Sequence, residues 1–380
     1  MTRSADLVVA GGGPAGLAAA IHAAQAGLDV VIVEPRRGVV DKACGEGIMP
    51  GGVDALEELG IRPAGVPFTG VEYLDACAPE LRAVGRFPRA STGLGVRRTV
   101  LHAAMKRRAQ MFGVRFVVER VRSLEQHLDG VVVNGELHAR WLIGADGLRS
   151  DVRRLLGVER PARSPVRVGV RRHYAVSPWT DRVQVYFGER CEAYVTPVDA
   201  TLVGVAFLFA PGRGEAVGAT RFEELLQGFP LLAQRLAGAP IASRVRGAGP
   251  FEQRVERRVV DNVLLVGDAA GYLDPLTGEG VALGLSTARA AVRSVLDDAP
   301  DAYEDRYRAL TRRYFAMTSG LLAVTRRRRL HRPLLRLARA CPAAFDGALG
   351  MLAHLPSEDG PARAHPWPDD DATIGLDRLP

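Results

Sequence analysis

The sequence predicts an α/β protein in which a Rossmann-type dinucleotide-binding domain is interrupted by an antiparallel-sheet substrate domain and followed by a C-terminal helical segment. Three observations carry that expectation. A glycine-rich turn stands between an apolar run and a helix-compatible run near the start of the chain, a second such turn follows about 250 residues later, and the apolar periodicity changes between them.

The first apolar run, Leu7 to Ala10, has the character of a short buried strand, and Ala15 to Ala26 is helix-compatible until Gly27. Gly11, Gly13 and Gly16 between them form G-x-G-x-x-G: one glycine for the tight turn, one for close approach of a pyrophosphate, one for packing helix on strand. A second strand, Val30 to Val33, ends on Glu34, placed to accept hydrogen bonds from a ribose hydroxyl. An acid there suits an unphosphorylated ribose, so FAD or NAD is favoured over NADP at this first site. Helices are expected at Val53 to Leu59 and Thr99 to Gln110, then a strand at Val114 to Val121. Asn134-Gly135, flanked by alternating runs, marks a two-residue hairpin turn.

From about Arg163 to Phe251 the character is antiparallel, with strand-like VQVYF, EAYVTPV and TLVGVAFLF and a helix or two between Phe222 and Leu236. Asn262 to Val266 returns to the buried strand type and is followed by GDAAGYLDPLTGEG, Gly267 to Gly280, and a helix from about Gly280 to Leu296. Residues 1–75, 95–160 and 255–300 are therefore assigned to the nucleotide-binding domain, 76–94 and 161–254 to the sheet domain, 301–355 to C-terminal helices, and Pro356 to Pro380 to a loosely packed tail.

With 380 residues, 47% of them hydrophobic, the chain can bury a large core. Cys44, Cys77, Cys191 and Cys341 lie far apart without CxxC spacing, which argues against a disulfide framework or a zinc site and for a reducing cytoplasm. The first strand leaves no room for a signal peptide, and no apolar run reaches membrane-spanning length. A cytoplasmic protein is expected, at most peripheral to a membrane.

The net charge of +7 is unevenly placed: Arg306 to Arg339 holds eleven arginines and no acid, leaving −4 on the remainder. Leu330, Leu334 and Leu337 fall at i, i+4 and i+7, an apolar stripe on an arginine-rich helix that Pro333 interrupts. Such a helix can rest on anionic lipid, grip an acidic partner, or cover the core with a solvated face. Nucleic acid is disfavoured, because no aromatic residues interleave with the arginines. The oligomeric state is not legible.

GGGPAG with Glu34, GADGLRSDVRRLLG at Gly144 to Gly157, and GDAAGYLDPLTGEG together resemble the flavoprotein superfamily of aromatic hydroxylases (group A monooxygenases), geranylgeranyl reductases and flavin-dependent halogenases. The resemblance covers residues 1 to about 300 and implies FAD as cofactor with NADPH or NADH as reductant. It implies that Gly11, Gly13, Pro14, Ala15, Gly16 and Glu34 hold the ADP half, and that Arg98 contacts the FAD. Asp146 and Gly147 would support the pyrophosphate and the nicotinamide approach, Asp268 the ribityl chain, and Pro275 the flavin ring. Cys44, Gly45, Val121, Gly278, Gly280 and Val281 complete the implied cofactor set; no metal is expected. Independently of resemblance, a glycine-rich turn opening a helix at Gly278 to Val281 offers backbone N–H groups and a positive dipole to a reduced, anionic flavin.

The reaction is less sharply marked, because this superfamily shares one cofactor site across several chemistries. The halogenases' tryptophan-rich motif is absent, and no lysine lies in the sheet domain. Gly271 stands where the hydroxylases carry histidine, and Cys44 in KACGEG resembles the reductases' cysteine near the flavin. Yet Tyr194-Val195-Thr196-Pro197 departs from the reductases' YxWxFP strand, which favours a monooxygenase acting on a lipophilic aromatic or polyketide-like molecule of secondary metabolism through a flavin C4a-hydroperoxide. The alternatives are alkene reduction of a prenyl or lipid substrate, with Cys44 or Tyr194 as proton donor, and an FAD-binding partner protein acting on another polypeptide. Cys44, Tyr194 and Pro275 are the candidate catalytic residues. Val185, Phe187, Val195, Val205 and Phe207 are candidates for an apolar substrate pocket, though most are expected in the core.

Overall fold

The computed structural model describes residues 3–88, 91–189, 191–212, 218–325 and 327–353; the expected tail lies outside them. The strand Arg3–Ala10 sits at the centre of a parallel sheet, with Val30–Val33 and Arg115–Val117 on one side and Leu137–Gly144 and Val263–Leu265 on the other. Helix α1, Pro14–Gln25, crosses between the first two strands, as the glycine turn and terminal acid predict. The chain continues outward from Arg3–Ala10 on one side and returns later on the other, so a crevice opens at the carboxyl ends of Arg3–Ala10 and Leu137–Gly144. Asn134, φ 54°, and Gly135, φ 71°, form the expected turn into Leu137–Gly144, closed by the Glu136 amide on the Val133 carbonyl at 3.2 Å. The expected strand at Val114 to Val121 is shorter, Arg115–Val117, because it pairs only with the four-residue strand Val30–Val33.

Around this sheet pack α2, Pro50–Glu58, and α3, Arg98–Met111; the short α4, Asp151–Leu155, follows Leu137–Gly144. The inserted domain is a seven-stranded sheet ordered Arg246–Ala248, Val168–Tyr174, Leu202–Phe209, Cys191–Asp199, Val183–Phe187, Gly70–Asp75, Arg82–Arg86. Gly70–Asp75 pairs with Val183–Phe187, so the domain boundary falls before Gly70 rather than after Asp75. Helices α5, Ala219–Gln227, and α6, Pro230–Leu236, cover one face and bury Phe222 and Leu232 against Val195, Val205 and Phe207. Alternation along each strand sends the intervening residues to the opposite face, which turns toward the crevice.

The second glycine-rich turn leads into α7, Gly280–Leu296, where the sequence places it. Its small residues let it approach α1 closely: a Cβ on Gly284 would lie 3.3 Å from that of Ala15. Three further helices follow, α8, Ala302–Thr325, α9, Arg328–Ala340, and α10, Pro342–Ala353. Pro333 does not interrupt α9; it removes one hydrogen bond in the exposed second turn, and packing of the inner face holds the helix through it. That inner face is His331, Leu335 and Ala338 against the sheet, with the His331 ring 5.0 Å from Phe187. The expected leucine stripe points the other way: Leu330 is 36% and Leu337 62% exposed.

Candidate active site

The first glycine turn is built by close approach. Gly11 has φ 103°, and a Cβ there would lie 2.5 Å from the Ala145 carbonyl; one on Gly16 would lie 1.9 Å from the Gly11 carbonyl. Gly13 differs, since its nearest neighbour would be a side-chain nitrogen of Arg98 at 3.9 Å, leaving its surface open to the crevice. Glu34 is buried and accepts the Gly12 amide at 2.9 Å and Arg36 Nε at 2.7 Å. Burial opposes its charge, but Arg36 and the Gly12 amide outweigh this and hold the carboxyl below its ordinary range. Behind the turn, His102 Nε2 meets the Gly12 carbonyl at 3.0 Å; burial lowers this imidazole to about 4, so it braces the loop as a neutral group.

A cavity of about 500 Å³ runs from this turn to the inserted sheet and the C-terminal helices. Gly11, Gly13, Pro14, Ala15, Glu34, Arg98 and Val121 line one end of it. Asp146, Gly147 and Asp268 line it too, as do Pro275, Gly278, Gly280 and Val281 at the head of α7. Gly16 does not reach the cavity; its part is the helix packing that the motif predicts. Asp146 Oδ2 also accepts the amides of Asp151 and Val152 at 2.7 and 3.1 Å and so opens α4, while Oδ1 is buried with no partner among the described residues. Burial lifts this carboxyl above its ordinary range.

These groups fit FAD. Arg98 is buried, and its Nη1 has no hydrogen-bond partner among the described residues. A buried guanidinium facing an open glycine and the N-terminus of α1 matches a phosphate ester. At the other end, Gly278 in the left-handed region, φ 74°, turns the chain so that the first turn of α7 points into the cavity. Glu279, the residue that caps α7, is buried, and burial pushes it up to about 8; its Oε2 has no partner among the described residues.

The far wall carries the candidate proton donors. Cys44, Gly45 and Tyr194 line the cavity together with Thr196. Burial pushes the Cys44 thiol up, and the Tyr194 hydroxyl, well above its ordinary value for the same reason, has no partner among the described residues. Both stay protonated at neutral pH. Of the apolar candidates only Val185 reaches the cavity. Val195, Val205 and Phe207 lie on the opposite face under α5 and α6, because strand alternation separates them from Tyr194 and Val185, whereas Phe187 shares the face of Val185 but packs beneath α9 beyond the cavity.

Three residues at or behind the cavity wall are not marked by the sequence: Glu46 and Arg171, which line it, and His173, buried behind Glu46. Glu46 adopts φ 61°, unusual for a residue with a side chain, and its Oε2 lies 2.5 Å from His173 Nε2. Arg171 and His173 come from Val168–Tyr174, whose charged residues obscured its strand character. The available signal was the alternation itself, Gly169, Arg171 and His173 against Val168, Val170 and Tyr174.

The chain matches the FAD binding domain family over residues 4–316. It is 30% identical to the menaquinone reductase of Mycolicibacterium smegmatis over 352 residues, covering 83% of this chain and 82% of that one. It is 31% identical to digeranylgeranylglycerophospholipid reductase 1 of Methanopyrus kandleri over 339 residues, 80% and 85% of the two chains. In fold it is similar to Klebsiella pneumoniae HpxO, solved with FAD and uric acid, with a TM-score of 0.77 at 20% identity over 93% and 97% of the chains. The paired glycine turns, the buried arginine and these likenesses agree: the chain belongs to the FAD binding domain family and is an FAD-dependent oxidoreductase.

Proposed function

We propose that this flavoprotein reduces a carbon–carbon double bond of an isoprenoid lipid, using NADPH or NADH as the electron source. The observation that carries the reading is a thiol, Cys44, kept protonated in the wall of a cavity that also holds the glycine cradle. Bound FAD would supply hydride. The chain's own residues would bind the dinucleotide through Gly13, Glu34 and Arg98 and present its ring to the far wall from the head of α7. Cys44, with Tyr194 as the second candidate, would give the proton that completes the reduction.

The hydroxylation favoured by the strand motif loses its main support. Tyr194 and Thr196 both face the cavity, so the difference from YxWxFP replaces a bulky wall residue by a small one and bears on substrate shape. The sequence relatives named above are both reductases, whereas the structural likeness, at 20% identity, speaks to fold alone. An apolar substrate agrees with Val71, Val183, Val185, Leu208, Leu349 and Leu352 along the walls.

No described helix is long and apolar enough to cross a membrane. In this reading the outward face of α9, with Leu330 and Leu337 among exposed Arg329, Arg336 and Arg339, rests on anionic lipid from which the substrate is drawn. Arg306, Arg308 and Arg332 contribute less, being held by Asp297, Asp305 and Asp75.

The test is anaerobic reduction of the loaded protein, followed by mixing with a menaquinone bearing an unsaturated tail or with oxygen. A product carrying two added hydrogens, one exchangeable with deuterated solvent at the time of reaction, supports the reading. A transient C4a-hydroperoxide absorbance with oxygen inserted into an aromatic ligand would replace it with hydroxylation.

A further inference from the structure

Reduction of a double bond consumes a proton for every hydride, and a donor covered by bound cofactor and substrate must be refilled from solvent. We propose that Ser243, His173 and Glu46 form a proton-delivery chain from the surface to Cys44, an inference that rests on the reductase reading. Ser243 is half-buried, and its Oγ lies 2.8 Å from His173 Nδ1. His173 is 0% and Glu46 3% exposed, and His173 Nε2 faces Glu46 Oε2 at 2.5 Å. Glu46 lines the cavity beside Cys44, whose Sγ accepts the Glu46 amide at 3.4 Å. The chain therefore begins at a half-buried hydroxyl and ends at a carboxyl two residues beyond the donor in the same cavity wall.

The surroundings tune it for passing a proton rather than for holding a fixed ion pair. Arg171 Nη1 lies 3.1 Å from His173 Nδ1, and Arg171 Nη2 lies 2.6 Å from Asp41 and 3.5 Å from Glu46. Asp41 is shared with Arg246 at 3.2 Å, and the Arg98 amide holds Glu46 Oε1 at 2.8 Å. Two guanidiniums, Arg171 and Arg246, thus face the carboxyls of Asp41 and Glu46 around the imidazole, and the short contact leaves room for one proton between His173 and Glu46. Gly204 leaves room for the pair: a Cβ there would lie 3.2 Å from Glu46 Oε2 and 3.6 Å from the His173 ring. The strained φ of Glu46 is what brings its carboxyl to the imidazole while its amide stays on Cys44.

In the proposed sequence the Cys44 S–H bond breaks as a C–H bond forms on the substrate carbon that has not received hydride. His173 then takes a proton at Nδ1 through Ser243 from water as it gives its Nε2 proton to the Glu46 carboxylate, Glu46 passes that proton to the thiolate, and the ring returns to the Nε2–H tautomer before the next turnover. Each transfer moves one proton inward, and the charge of the chain is restored at the end of the turnover. His173 and Ser243 are positioning and relay residues; only Cys44 touches substrate.

The experiment has one arm without turnover. In ¹⁵N-histidine-labelled protein without substrate, the His173 imidazole shifts should report a neutral ring protonated at Nε2, and Glu46→Gln should change its tautomer balance. Shifts that ignore Glu46→Gln overturn the chain whatever the enzyme reduces. In the loaded enzyme, His173→Gln should keep FAD content and nicotinamide-driven flavin reduction while slowing menaquinone reduction about 100-fold and raising the solvent deuterium isotope effect. Unchanged turnover and isotope effect in His173→Gln overturn the relay but leave the reductase reading standing. Ser243→Ala, at the half-exposed entrance, gives the same comparison if His173→Gln does not fold; it should slow turnover about tenfold in a way that small acids in the buffer restore. Wild-type turnover without rescue dependence overturns the entry point.

Discussion

Gly13 and Gly16 are three residues apart in one motif, yet their substitution by alanine should do opposite things. A Cβ on Gly16 would sit 1.9 Å from the Gly11 carbonyl oxygen and 3.2 Å from the Ala145 Cβ, and neither can swing away as a flexible side chain would. Opening that contact means moving α1 off its strand, so Gly16→Ala should cost the apoprotein about 3 kcal/mol or more, the upper end of overpacking penalties. Gly13 has φ −76° and ψ 179°, open to any residue, and its nearest neighbour would be 3.9 Å away. Gly13→Ala should therefore leave apoprotein stability within about 0.5 kcal/mol of wild type. It should nevertheless weaken FAD by about 1 to 3 kcal/mol, roughly 5- to 150-fold, because the methyl enters the path of the pyrophosphate. Urea unfolding of the apoproteins and fluorescence titration with FAD separate the two effects. Wild-type FAD affinity in Gly13→Ala would show that the pyrophosphate does not pass over this residue, and wild-type stability in Gly16→Ala would show that the tight helix contact is wrong.

Glu34→Ala should lower FAD retention, and Asp268→Ala should lower it further; full flavin content in both purified variants would remove the cofactor assignment. Leu337→Asp together with Leu330→Asp should abolish flotation with anionic vesicles without altering the melting temperature, since both side chains face outward. Unchanged flotation would move the lipid contact elsewhere. Burial holds His22 and His102 at about 4, against 6.5 unfolded. The unfolded chain binds more protons between those values, so stability is full above about 6.5 and falls as pH drops toward 4. His22→Gln should shallow that slope in pH-dependent denaturant midpoints; an unaltered slope would mean that His22 is solvated in the native state.

The cofactor end was legible because its chemistry is local. Gly11, Gly13, Gly16 and Glu34 fall within one βαβ unit, and Gly278, Gly280 and Val281 open one helix, so spacing alone places them. On the substrate wall Cys44 and Tyr194 were named through resemblance, but Glu46 and the His173 behind it were not, because Glu46 and His173 come from segments far apart in sequence that meet only through the inserted sheet. Val168–Tyr174 carries Arg171 and Arg172, which suggest an exposed loop until their partners Asp41 and Glu223 are seen. The α9 stripe failed for a related reason: Leu330, Leu334 and Leu337 have helical spacing, but so do His331, Leu335 and Ala338, and only contact with the sheet decides which face turns inward.

Glu279 gives the head of α7 a dependence on alkalinity. A helix N-terminus carries roughly half a positive charge, so a full carboxylate beside it would reverse its sign. Because burial keeps Glu279 protonated up to about 8, the amides of Gly280 and Val281 present an uncancelled positive potential to the cavity throughout the neutral range. Above that pH the same residue becomes an anion with no partner for its Oε2, and the potential that favours an electron-rich ring gives way to one that repels it. The carboxyl thereby sets a lower bound on the proton activity at which the oxidoreductase can keep its reduced form stabilised.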